Sequence, residues 1–65
     1  MTPLDRWHRA IAAALRWAID EAQTPDEVRD AGRCNAAAVA VLKSEAPELR
    51  AEVLAYATTK LEALA

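Results

Sequence analysis

The sequence predicts an all-α fold: a small antiparallel three-helix unit that self-associates. Three observations lead there. Each of the three prolines stands where a helix would open. The apolar residues recur at three- and four-residue steps, with no sustained alternation of the kind strands show. The chain of 65 residues is 54% hydrophobic, yet 17 of those 35 positions are Ala, which disfavours strands and leaves 18 larger apolar residues. A chain this short buries only about 60% of its unfolded surface and gains most from association.

The first helix is expected over about 3–22. Thr2-Pro3-Leu4-Asp5 supplies an N-cap, a proline at the first helical position and an acidic third position. Leu4, Trp7, Ile11, Leu15, Ala18 and Ala22 define its expected core face, widened by Ala14 and Ile19. Arg6, Arg9, Arg16 and Asp20 fall opposite. Trp17 projects with Arg6, about 80° from Trp7.

The second helix is expected over about 25–44. Thr24-Pro25-Asp26-Glu27 repeats the opening, with Glu27 placed to close a capping box onto Thr24. Its stripe is Val28, Ala31, Asn35, Ala38, Val39 and Leu42. Gly32 interrupts it at about 1 kcal/mol relative to Ala. Either the helix runs through and Gly32 admits a neighbouring backbone, or it stops near Ala31 and Asn35 opens another. The stripe stays in phase across Gly32, which favours the continuous helix.

The third helix is expected over about 47–64. Ala46 cannot cap it, and Ser44 is the alternative cap. Leu49, Val53, Tyr56, Lys60 and Leu64 share a face, which Leu54, Ala57 and Leu61 broaden beyond a third of the circumference. Such an arc suits two neighbouring helices or an additional chain. Short connections make neighbours antiparallel.

Composition excludes several kinds of function. One Cys rules out an internal disulfide and a Cys-only zinc site, and one Gly rules out a Gly-rich phosphate loop. A net charge of −2 excludes a globally basic nucleic-acid binder. Charged residues precede any apolar run, so no signal peptide or membrane span is expected. A lone thiol suits a reducing, cytoplasmic setting. Cys34 and His8 are the nearest approach to a catalytic pair, but they read better as a helix-flank hydrophobe and a surface or core-edge residue. No enzyme activity, metal or cofactor is expected. The carboxylates read as a solvated surface.

Binding residues stand out more. Arg6, Arg9 and Arg16 with Trp17 form the leading candidate, because Trp and Arg are enriched at interface hot spots. The competing reading is a Trp covered by Arg stems or by the third helix. Asn35 lies within an apolar stripe, where an amide that must find partners can specify register or partner; a helix cap and a ligand contact are the alternatives. Leu54 and Leu61 complete the set as the outer part of the third helix's arc.

From Trp17 onward the chain resembles a family. The string Trp17-Ala-Ile19-Asp20-Glu21-Ala22-Gln23-Thr24-Pro25-Asp26-Glu27-Val28 is followed by Asn35, Leu42, Ala46-Pro47-Glu48-Leu49-Arg50-Ala51-Glu52-Val53, and Ala57-x-x-Lys60-Leu61. This is similar to small helical segments of phage and prophage proteins, notably C-terminal modules of single-strand annealing recombinases. The resemblance implies an accessory or partner-docking module; it brings no catalytic residues, and annealing activity is not carried over. The expected function is a non-catalytic protein–protein interaction module, with a protein partner and a homo-oligomeric state. The alternative is a small inhibitor that blocks a larger host or phage enzyme complex. A DNA-binding helix-turn-helix is disfavoured because neither later helix is basic, and nucleic acid is not the expected partner.

Overall fold

A computed structural model describes residues 1–65 and is all-helical: α1 (Pro3–Glu21), α2 (Pro25–Cys34), α3 (Ala36–Glu45) and α4 (Pro47–Leu64). The expected boundaries hold to within a residue, except that the second expected helix is two. The helix count is therefore four rather than three.

The first two openings form as their residues dictate. The Asp5 N–H donates to Thr2 Oγ1 at 3.1 Å, and the Thr2 N–H donates back to Asp5 Oδ2 at 3.3 Å. The Glu27 N–H likewise donates to Thr24 Oγ1 at 3.2 Å. The Glu27 carboxylate does not return to Thr24, however; it reaches one residue further and accepts from the Gln23 N–H at 2.6 Å. The third opening is different. Ser44 lies inside α3 and caps nothing; Ala46 precedes Pro47 with no side-chain cap. Here the break comes from the proline, which disfavours helical backbone at the residue before it.

Asn35, not Gly32, divides α2 from α3. Its Nδ2 donates to the Ala31 carbonyl at 2.7 Å, the acceptor that its own backbone N–H would use in a continuous helix. That N–H turns instead to Arg33 O, while Asn35 O accepts the first bond of α3 from Val39 N at 3.0 Å. Val28 and Leu42 both remain buried across the break. Periodicity alone therefore could not reveal it. Gly32 has no positive φ, and a Cβ built there would meet nothing within 4 Å. It admits no neighbouring backbone.

Arg9 lies beside Glu48 and Leu49 at one end, and Asp20 meets Tyr56 and Lys60 at the other, so α1 and α4 lie side by side and point the same way. The α2–α3 segment runs back between their ends, packed against both. The core is small: Ala12, Leu15, Ile19, Ala22, Val28, Leu42 and Val53, with Leu42 fully enclosed.

The buried face of α1 is His8, Ala12, Leu15 and Ile19, rotated roughly 70° from the expected stripe. Leu4 and Trp7, expected inside, are exposed, Trp7 by 50%. His8 takes the inner position, its Nε2 3.1 Å from Glu45 Oε1 and its ring 5.6 Å from that of Trp7. The rotation follows from α4 lying along the Arg9–Arg16 side of α1, a placement that one helix's periodicity does not encode. The turn that exposes Trp7 draws His8 inward against α3.

Candidate functional site

The principal concavity is a groove of about 630 Å³ walled by α2, α3 and α4, with Leu15 and Ile19 of α1 beneath. On α4 its wall is Arg50, Val53, Leu54 and Ala57, spaced i, i+3, i+4 and i+7, so one helix face supplies them all. This wall runs for about 10 Å, or two helical turns. On α2 the wall is Val28, Arg29, Ala31, Gly32 and Arg33; on α3 it includes Val39, Ala40, Leu42 and Lys43. The bend at Asn35 separates the two helices along one wall, and Gly32 contributes no side chain to fill the space.

The floor is apolar and the rim is cationic. Arg29, Arg33, Lys43 and Arg50 line the groove, half of the chain's eight Lys and Arg, and no carboxylate does. Arg29 pairs with Asp26 at 3.0 Å, and Arg33 with Asp30, each one turn back on α2 and facing solvent. Lys43 forms no ion pair. Arg50 is part-buried, and its Nε is enclosed without a hydrogen-bond partner. A buried donor left unpaired is costly.

No family model, curated protein or solved structure matches the chain. The site is therefore read from its own residues.

The residues singled out in the sequence are not gathered at one place. Leu54 alone lines the groove, 45% exposed. Leu61 packs against the core further along α4. Asn35 shapes the wall by making the bend. Arg9 lies beside Ala46, Glu48 and Leu49 at the start of α4, and Arg16 is part-buried beside Tyr56. Trp17, 66% exposed, instead borders α2 beside Glu27, Asp30 and Cys34. Arg6 is exposed, eleven positions or roughly 16 Å before Trp17 along the helix. The expected Arg–Trp patch is thus split: two of its arginines flank α4 and its tryptophan flanks α2. Trp17 does remain outside the core, as its position on the helix implies.

Sequence reasoning missed Arg50 and misread the use of Gly32. A signal for Arg50 existed in the cation that begins the Arg50–Val53–Leu54–Ala57 stripe. None existed for the loss of its Nε partner, which depends on the neighbours that fold over it.

Two ionisable groups are shifted, both away from the groove. Hydrogen bonds from the Thr2 side chain and backbone hold Asp5 below the ordinary aspartate value. Tyr56 donates to Asp20 Oδ1, and this bond raises its phenol above the ordinary tyrosine value. Lys60 Nζ donates to the Asp20 carbonyl at 3.1 Å, satisfying the last turn of α1. These contacts tie α1 to α4. No group of three or more His, Cys, Asp or Glu side chains is arranged to hold a metal, and no helix is long and apolar enough to cross a membrane.

Proposed function

We propose that the chain is a non-catalytic docking module that binds a protein partner in the groove between α2, α3 and α4. The groove itself carries this reading: an apolar trough two turns long, open to solvent, beside an exposed Leu54. Interaction sites on small helical proteins take this helix-in-groove form, in which an amphipathic segment lays its apolar face into the trough. Self-association and a phage or prophage accessory role in the cytoplasm belong to the same proposal. The exposed Leu4, Trp7 and Trp17 of α1 offer a separate surface for joining copies. If the segment received belongs to an enzyme complex, the module acts as its inhibitor.

Nucleic acid fits the groove poorly. Its floor is apolar and carries no aromatic ring on which a base could stack.

The test uses a plug. Gly32→Leu adds a side chain where a Cβ meets nothing within 4 Å, so the fold should tolerate it. Capture from host lysate, read by mass spectrometry, should retain a protein on the native chain and not on Gly32→Leu. Equal retention on both overturns the groove as the docking site.

A further inference from the structure

We infer that the groove selects an acidic amphipathic helix, whose carboxylates meet Arg50 and the rim formed by Arg29, Arg33 and Lys43. This rests on the docking reading above and adds the chemistry of the partner.

Three observations support it. The first is charge: four cations and no carboxylate line a groove in a chain whose net charge is −2. The concentration of positive charge is local and set against an acidic whole, so it steers an acidic ligand to this face. The second is Arg50, part-buried in the α4 wall of the groove and without an ion pair in the chain. The Arg50 guanidinium is thus left for a carboxylate from an occupant, and an ionised acceptor on a guanidinium makes a strong hydrogen bond. The third is Gly32. It lies in the last turn of α2, with no positive φ and no close neighbour to require it. Its use is the room it leaves in the groove.

The apolar floor adds the other half of the specification. An occupant must carry apolar side chains on one face for about two turns, with acids on the flanks. The partners of Arg29 and Arg33 do not oppose this. Asp26 and Asp30 form solvent-facing pairs one turn away, and such pairs contribute little and exchange readily. A second copy of the chain is the weaker candidate. Its helix with free apolar side chains, α1, carries three arginines (Arg6, Arg9, Arg16) against three acids (Asp5, Asp20, Glu21), and so offers no acidic excess to the rim.

The test is an amide NMR titration of the full chain, carried to millimolar peptide, with two synthetic helical peptides. Both have leucines along one face; one has glutamates on the flanks and the other has glutamines at the same positions. The glutamate peptide should shift amides of α2, α3 and α4 around the groove and bind about tenfold more tightly than the glutamine peptide. Arg50→Met keeps an apolar stem of similar length and should remove most of that preference. Lys43→Glu, at an exposed position, should weaken the glutamate peptide further while sparing the glutamine one. Gly32→Leu should abolish binding of both. Equal affinity of the two peptides for the native chain overturns the acidic specificity and leaves the groove standing. Shifts confined to α1 overturn the groove and this inference together, as does the absence of binding by either peptide.

Discussion

Thr24 is the residue whose role was most legible in advance. Its hydroxyl accepts the Glu27 N–H, so Thr24→Ala should destabilise the chain by about 0.5–2 kcal/mol in a urea denaturation curve. Asp5 makes the equivalent opening of α1 sensitive to acid. Its carboxylate is held below the ordinary value by Thr2, so the unfolded chain takes up this proton first as pH falls. Asp5 therefore contributes fully above the ordinary aspartate range, and its contribution is lost as pH falls through the depressed folded value. The stability difference between the native chain and Asp5→Asn should shrink over that interval, and a difference that stays constant into strong acid would contradict the assignment. His8 was the residue least legible. Nothing in its neighbours along the chain foretells burial. It is enclosed because Glu45, 37 positions away, comes to meet it.

Three of the four helix starts were legible, and the fourth, at Ala36, was not the reading the stripe favoured. Each proline opened a helix, because a fixed φ and an absent N–H act locally wherever the chain places them. The division at Asn35 was the less favoured of two readings because it preserves the apolar phase on both sides: Val28 and Leu42 are buried together across it. What breaks the helix is one amide competing for one carbonyl, a contest that residue type permits but does not decide. Asn35→Ala ends the competition. The backbone N–H of residue 35 should then recover Ala31 O, slow its hydrogen exchange and raise the helical signal in far-ultraviolet circular dichroism. Unchanged exchange at residue 35 would mean that packing, rather than the Asn35 side chain, sets the bend. The rotation of α1 belongs to this scale as well. Its apolar residues spread over a wide arc, and the position of α4 selects which part of that arc is enclosed.

At the scale of the whole molecule, seven apolar residues and His8 are buried in a chain of 65. Such a core is thin, and the large apolar side chains left outside are concentrated on α1 and at the groove. The groove was therefore illegible as a site, although the broad arc of the third expected helix, with Leu54 in it, suggested a surface suited to another chain. Sedimentation equilibrium at micromolar concentration should show a mass above one chain. A mass of one chain, independent of concentration, removes self-association and leaves the groove as the one interaction surface proposed. Leu42→Ala should cost about 2–5 kcal/mol, because its side chain is wholly enclosed. Trp7→Ala should cost less, despite the larger side chain, because half of Trp7 already faces solvent.

The outward placement of both tryptophans also governs what light can report about this protein. Trp7 and Trp17 are the chain's only indoles, and each is at least half exposed in the folded state. Water surrounds much of each ring before unfolding begins, so the emission maximum should already lie toward the red and move little as denaturant is added. A chain followed by fluorescence alone would look unfolded throughout, while circular dichroism would record a full transition. The same indoles make useful reporters of assembly. If copies join through α1 as proposed, their emission should move to the blue without any change in helical content, and replacing Trp7 and Trp17 in turn would show which ring the contact covers.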